Sequence, residues 1–100
     1  MRRHHLKLAK LLESFEIGAF TCVSSAAEAV PYLVILEPIV REIVLNELAR
    51  RALPPGTADD LTQDVLFHVW RKRARIRADR PESLAAWLER VVRGTAKEIR

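Results

Sequence analysis

The triplet Pro54-Pro55-Gly56 constrains the fold most strongly, because it separates two long stretches that both have helical periodicity. Proline lacks the N–H group that a helix interior needs, and glycine weakens a helix through its backbone freedom. Apolar residues follow one helical stripe from Ile39 to Leu53 before the break, and a second from Ala58 to Val69 after it. The sequence therefore predicts two amphipathic helices joined by a tight connection.

The first third of the chain also favours helices. Leu6 to Phe15 carries apolar residues at three- and four-residue spacing, and Gly18 is predicted to end that helix. The stretch from Cys22 to Ser25 is predicted to be a loop or a loosely specified helix start. Val30 to Leu36 can be a helical turn or an extended piece, and we favour a helix.

Turn chemistry predicts where the remaining helices begin. Pro38 fits the first turn of a helix, and Pro81 is predicted to start a last helix that runs through Arg100. Thr57 and Asp60 have the spacing of a capping box, in which each side chain bonds a backbone N–H of the other residue. With only three glycines in the chain, the expected fold class is all-α, a compact bundle of about four to five helices.

Composition narrows the classes of function. A chain of 100 residues with 49% hydrophobic and 30% charged residues is expected to fold as one domain. Seventeen Lys and Arg against 13 Asp and Glu give a net charge of +4, which suits a polyanionic partner such as nucleic acid. The apolar stretch from Ile17 to Leu36 is interrupted by Glu28 and Pro31, so a membrane span is not expected.

The single cysteine and the histidines argue against a metal or redox site. Cys22 has no partner for an intrachain disulfide, which favours the reducing cytoplasm as the location. His4, His5 and His68 lack the spacing of metal ligands, and no catalytic constellation or phosphate loop is evident. We therefore expect neither an enzyme nor a cofactor, and we expect His68 to be a solvated surface residue.

The helix after the Pro-Pro-Gly break is predicted to carry an acidic patch opposite its apolar stripe. Asp60, Gln63, Asp64 and Phe67 come together within two turns. A phenylalanine beside carboxylates suits docking onto a basic, partly apolar partner. Two alternatives to docking stay open: the acids can stabilise the helix dipole, and the first helices can cover Phe67.

Basic residues concentrate in the last third. In the final helix Arg90, Arg93, Lys97 and Arg100 share one face, opposite the apolar residues Leu84, Leu88, Val91, Val92, Thr95 and Ile99. The preceding linker adds Arg71, Lys72, Arg73, Arg75, Arg77 and Arg80. Such a surface can follow a phosphate backbone, although a solvated charged face is the alternative.

Two motifs in register resemble the second conserved region of extracytoplasmic-function sigma factors, in the sigma-70 family. The first is Asp59-Asp60-Leu61-Thr62-Gln63-Asp64-Val65 followed by Val69-Trp70-Arg71-Lys72. The second is Pro81-Glu82-Ser83-Leu84-Ala85-Ala86-Trp87-Leu88, followed by Val91-Val92-Arg93 and Ala96. The resemblance covers residues 37–100 as a helical domain and leaves 1–36 as an N-terminal helical extension of unknown role, together one compact unit.

The resemblance implies two partners. It implies that Asp60, Gln63 and Asp64 dock on the clamp helices of the largest subunit of core RNA polymerase, and geometry adds Phe67. It implies that the loop from Arg75 to Ser83 and the final helix hold the melted, single-stranded −10 promoter element with one base unstacked. The DNA-binding residues would be Arg75, Arg77, Arg80, Ser83, Arg90, Arg93, Lys97 and Arg100. An anti-sigma factor is a possible further partner.

Three departures from the family leave alternatives open. Gly94 stands where the family usually has Asn, the loop lacks an aromatic residue for base stacking, and the sequence ends before the family's helix-turn-helix domain. The chain can therefore be a fragment, a degenerate relative or a regulator that binds polymerase or an anti-sigma factor without productive DNA binding. A basic helical protein on an anionic membrane surface is a third hypothesis.

Overall fold

A computed structural model describes residues 10–13, 15–76 and 81–97. Within these ranges the regular structure is entirely helical, which confirms the predicted all-α class. The α-helices that lie wholly within the described ranges are α1 (Ile17–Thr21), α2 (Ala26–Arg50), α3 (Ala58–Arg71) and α4 (Pro81–Ala96). Two single turns of 3₁₀ helix, Pro55–Thr57 and Arg73–Arg75, flank α3.

The longest helix, α2, differs from the prediction at its start. It is continuous over 25 residues, so Pro38 lies in its interior and the prediction of a helix beginning there is wrong. The side chain of Ser25 caps this helix by accepting a hydrogen bond from the Glu28 N–H at 3.2 Å. Pro31 and Pro38 are seven residues apart and both exposed, so the carbonyl groups that they leave unpaired can be hydrated. The helix predicted for Val30 to Leu36 is confirmed.

The same helix also ends earlier than its apolar stripe suggests. It stops at Arg50, before the Pro-Pro-Gly triplet, so Leu53 lies outside the helix. The Leu53 N–H donates to the Leu48 carbonyl at 2.9 Å, and the Ala52 N–H donates to the Ala49 carbonyl at 3.1 Å. These two bonds form a Schellman motif, which places Ala52 in the left-handed region with φ of 55°.

The capping box predicted for Thr57 and Asp60 is wrong. Thr57 adopts helical dihedral angles in the 3₁₀ turn, and its hydroxyl donates to the Pro54 carbonyl at 3.0 Å. A capping residue needs an extended backbone to point its side chain at the first N–H groups of the helix. The Pro-Pro-Gly connection therefore prevents the cap by forming a tight turn of its own.

The N-terminal segment completes the core. Leu12, Phe15, Phe20 and Val23 are buried in the same cluster as the apolar faces of α2, α3 and α4. The rings of Phe15 and Phe20 lie 5.7 Å apart in an edge-to-face arrangement. Gly18 lies inside α1, so the prediction that it ends the preceding helix is wrong. Half of the helix predicted from Leu6 to Phe15 lies outside the described residues. In the other half Lys10 and Leu11 are helical, whereas residues 12, 13 and 15 are not.

The three long helices pack against one another, with α2 in contact with both α3 and α4. On α3 the buried residues are Ala58, Leu61, Thr62, Val65, Leu66 and Val69, the face that periodicity predicted. On α4, Leu84, Leu88, Val92 and Thr95 are buried as expected, Val91 is half-buried, and Ile99 lies outside the described residues. In the described part of the chain, no helix combines the length and the hydrophobicity that crossing a membrane requires.

Candidate functional site

One side of α3 presents the predicted acidic patch. Asp60, Gln63 and Asp64 are all exposed, and the side chain of Phe67 is 57% exposed beside them. The hypothesis that the first helices cover Phe67 is therefore wrong for the described part of the chain. We call these four residues the acidic face.

An ion-pair network borders this face at the start of α3. Arg41 on α2 binds Glu37 through Nε at 2.7 Å and also binds Asp59 through Nη1. The hydrogen bonds that Arg41 donates, first to Asp59 and then to Glu37, raise the pKa of Arg41 above its ordinary value. Because Arg41 partly neutralises Asp59, the negative charge of the surface is concentrated on Asp60 and Asp64.

An apolar groove runs alongside the acidic face, between α2 and α3. Its volume is about 250 Å³, and it is lined by Ala26, Leu33, Gln63, Leu66, Phe67 and Trp70. Gln63 and Phe67 belong to both surfaces, so the charged and apolar surfaces are continuous. A partner helix with an apolar ridge and basic flanks would complement this combination.

A second surface of opposite charge lies where the end of α3 meets α4. It consists of two adjoining pockets of about 320 and 280 Å³ that share His68 and Lys72. The first is also lined by Arg90, Val91, Gly94 and Thr95, and the second by Arg71 and Arg75. We call these two pockets together the basic cleft. Every charged side chain among these lining residues is a Lys or Arg, and none carries a carboxylate.

Gly94 leaves open space on the wall of the first pocket. A Cβ atom at this position would meet no heavy atom within 4 Å. The hydroxyl of Thr95 on the same wall is already engaged, because it donates to the Val91 carbonyl at 2.9 Å. The lining side chains that can still donate a hydrogen bond to a ligand are therefore His68, Lys72 and Arg90, which suits an acceptor-rich ligand.

The residues predicted to bind DNA fall into three groups. Arg75 and Arg90 line the basic cleft. Ser83, Arg93 and Lys97 lie on α4 or just after it, outside the lining of the cleft. Arg77, Arg80 and Arg100 lie outside the described residues.

Arg93 differs from the exposed cation that helical spacing suggested. It is half-buried, and its Nη2 lies 3.7 Å from a carboxylate oxygen of Glu89, which is itself 8% exposed. Four-residue spacing brings the two side chains together on one face of α4. Arg93 therefore has less charge to offer a partner than Arg90.

Three ionisable residues that line the cleft, His68, Arg71 and Lys72, were not among the DNA contacts predicted from the sequence. His68 was expected to be solvated and is half-buried against the cleft, while Lys72 was assigned to the linker. Their four-residue spacing places them on one side of the last turn of α3, which is a usable signal. The sequence did not show that α4 packs along that side, because this depends on tertiary contacts.

Comparison with protein families assigns most of the described helical region to one family. A model of the family described as sigma-70 region 2 matches residues 40–99. The chain belongs to the sigma-70 region 2 family. The match begins within α2 and includes all of α3 and α4. The acidic face and the basic cleft therefore both lie inside the matched range. Searches among curated proteins and among solved structures find no match.

The region 2 match leaves the N-terminal segment unexplained. Residues 10–13 and 15–25, together with the first half of α2, precede the matched range. These residues nevertheless bury Phe15, Phe20 and Val23 in the common core. Here the region 2 helices and the N-terminal segment share one hydrophobic core.

Proposed function

We propose that the chain is a transcription initiation module that docks on core RNA polymerase through the acidic face and binds the −10 promoter element in the basic cleft. It acts by binding two partners, without chemistry of its own. The observation that carries this proposal is the separation of charge along α3. The acids lie in its first two turns, whereas the basic groups lie in its last turn and just after it.

The chemistry of the acidic face supports polymerase as its partner. Exposed aromatic side chains next to an apolar groove provide much of the affinity of protein interfaces, and Phe67 lies at the edge of such a groove. Asp60 and Asp64 select for a basic partner through charge complementarity. The clamp helices of the largest polymerase subunit are the partner that the family resemblance implies for these positions. An anti-sigma factor would compete for the same face.

The dimensions and charge of the cleft support single-stranded DNA as the second partner. A pocket of about 320 Å³ is far smaller than a duplex and suits a single nucleotide. The planar guanidinium of Arg90 can stack on an unpaired base, and Lys72 can bind the adjoining phosphate. Such stacking can replace the aromatic residue that the loop lacks.

The remaining predicted DNA contacts extend this site. Lys97 is exposed at the end of α4 and can bind a phosphate beyond the cleft. Ser83 and Arg93 are secondary contacts in this proposal, since both are half-buried. We include Arg77, Arg80 and Arg100 as proposed phosphate contacts on the basis of the family resemblance. The same resemblance supports the proposal that the chain is an extracytoplasmic-function sigma factor that acts in the cytoplasm.

The docking role is tested by measuring the affinity of the purified chain for core RNA polymerase. The variant Asp60→Ala/Gln63→Ala/Asp64→Ala should lose at least about 100-fold in affinity, because it removes several charge-assisted and polar contacts together. The matched control is Glu13→Ala/Glu16→Ala, which removes the same charge from two exposed residues of the N-terminal segment. The control should bind like the wild type.

Circular dichroism must show that each variant is folded. If the folded wild type does not bind polymerase, or if the control loses as much affinity as the triple variant, the proposed docking role is wrong. Binding of polymerase without any binding of a −10 oligonucleotide would leave a polymerase-binding regulator.

A further inference from the structure

Arg73 makes an unusual set of contacts for a residue in a basic segment. Its guanidinium carbon lies 3.6 Å from the centre of the Trp70 ring, which is a close stacking distance. Its Nε donates to the Val23 carbonyl at 2.7 Å, and its Nη1 donates to the Trp70 carbonyl at 2.9 Å. The guanidinium of Arg73 therefore bonds to the protein, and the residue is half-buried.

These contacts join two segments that are 50 residues apart in sequence. Val23 follows α1 and is buried, and α1 lies against the 3₁₀ turn that contains Arg73. The N-terminal segment precedes the region that matches sigma-70 region 2. Arg73 thus connects a segment outside the matched range with a turn inside it.

The turn held by Arg73 also carries two residues of the basic cleft. Lys72 precedes Arg73, and Arg75 follows it by two residues. The Arg75 N–H donates to the Lys72 carbonyl at 2.8 Å, and the buried Ile76 bonds back to the Arg73 carbonyl at 3.2 Å. A shift of Arg73 would therefore move Lys72 and Arg75 together.

We propose that Arg73 is a positioning residue for nucleic-acid binding. It ties the N-terminal segment to the turn after α3 and thereby fixes Lys72 and Arg75 along the basic cleft. This inference rests on the proposed DNA-binding function, but it assigns to Arg73 and to the N-terminal segment a role that the acidic face does not share. Arg73 itself makes no contact with the nucleic acid in this proposal.

The shape of arginine allows a sharp test. A guanidinium is planar, stacks on an indole and donates in several fixed directions, whereas the lysine ammonium is a point charge on a flexible stem. Arg73→Lys keeps the charge and loses the stacked, two-carbonyl geometry. Arg73→Met keeps the aliphatic packing and removes the charge. The matched control is Arg50→Lys, at an exposed arginine near the end of α2.

The primary measurement is the affinity of these variants for a fluorescein-labelled single-stranded oligonucleotide containing a −10 element. Arg73→Lys and Arg73→Met should both lose about tenfold, because each removes the charge-assisted bonds that hold the turn. Arg50→Lys should bind DNA like the wild type. Arg50→Lys should also keep wild-type affinity for core RNA polymerase. The Arg73 variants should lose less affinity for polymerase than for DNA, because Trp70, on which Arg73 stacks, is one of six residues that line the apolar groove.

Two readouts report on position independently of DNA. In a Trp87→Phe background the emission of Trp70 should shift on Arg73→Lys, since the stacked cation is removed from its ring. Amide hydrogen exchange over residues 15–23 should accelerate in both Arg73 variants and remain unchanged in Arg50→Lys.

A different pattern would overturn the proposal. In one such pattern Arg73→Lys binds the oligonucleotide like the wild type, while Arg73→Met loses affinity and its slope of log affinity against log salt concentration becomes less steep by about one. Arg73 would then be a direct phosphate contact. Equal affinity of all variants would show that the turn does not govern binding. If the wild type itself fails to bind the oligonucleotide, the proposed function fails, and an accelerated exchange would then show only a structural role for Arg73.

Discussion

The acidic face and the basic cleft share one helix but are built in different ways. The four residues of the acidic face all come from α3, within eight consecutive positions of the sequence. The basic cleft takes its residues from the end of α3, the following 3₁₀ turn and α4. A surface on one helix depends only on helical spacing, whereas a cleft between helices depends on how those helices pack.

The electrostatics of the two surfaces follow the direction of α3. Asp59 and Asp60 occupy its first turn, and His68 and Arg71 occupy its last turn. Carboxylates near the N-terminus and cations near the C-terminus both interact favourably with the helix dipole. The helix can therefore present opposite charges to two partners without weakening itself.

The largest expected effect comes from reversing charge in the basic cleft, which should weaken DNA binding and leave polymerase binding unchanged. Lys72→Glu/Arg90→Glu should lower the affinity for a −10 oligonucleotide by about 100-fold. The slope of log affinity against log salt concentration should become less steep by about two. Titrations at several salt concentrations measure both quantities. Lys10→Glu, an exposed residue of the N-terminal segment, is the control and should change little. Equal loss of polymerase binding would contradict the separation of the two surfaces.

The next effect concerns Phe67, the aromatic member of the acidic face. Phe67→Ala should weaken binding to core RNA polymerase by about 30-fold, as expected for an aromatic residue beside an apolar groove. Its affinity for the oligonucleotide should be unchanged. Leu45→Ala removes another exposed apolar side chain, which is 43% exposed on α2, and should leave polymerase binding intact. A similar loss in both variants would mean that general hydrophobicity drives the interaction.

A smaller effect concerns the core beneath α3. The Thr62 hydroxyl is buried and has no hydrogen-bond partner among the described residues. Thr62→Val should raise the free energy of unfolding by about 1 kcal/mol, because it removes an unsatisfied polar group while keeping the shape. Urea denaturation measures this change. Thr95→Val should not stabilise the protein, since it loses the bond to the Val91 carbonyl.

Both binding affinities should remain at the wild-type level in Thr62→Val. If stabilising the shared helix shifts either affinity more than about twofold, the effects of surface variants cannot be assigned to the surfaces alone.

The smallest effect lies outside both surfaces. Ala52 has a left-handed conformation, with φ of 55°, that glycine adopts more easily. Ala52→Gly should stabilise the fold by about 0.5 kcal/mol, measured by thermal unfolding. Ala49→Gly, in the last turn of α2, should instead destabilise it by about 1 kcal/mol. Neither change should alter the affinity for core RNA polymerase or for the −10 oligonucleotide.

The errors of sequence interpretation cluster at helix ends. Pro38 was predicted to begin a helix because proline is common in first turns, but its exposed position lets α2 continue through it. Thr57 and Asp60 had the spacing of a capping box, but Thr57 has helical dihedral angles, which point its hydroxyl at the Pro54 carbonyl and away from the first N–H groups of α3. Ser25 and Glu28 have the same type of spacing, and there the cap forms because the backbone of Ser25 is extended.

Local spacing in the sequence was enough to predict the all-α class, the buried face of α3 and the acidic face, since each depends on contacts between residues a few positions apart. Tertiary packing was needed to bring His68, Lys72 and Arg90 into one cleft and to turn Arg73 inward to Val23. The physical reason is that helical spacing fixes which side chains share a face. The packing of the N-terminal segment and α4 then decides which of those faces remain open to a partner.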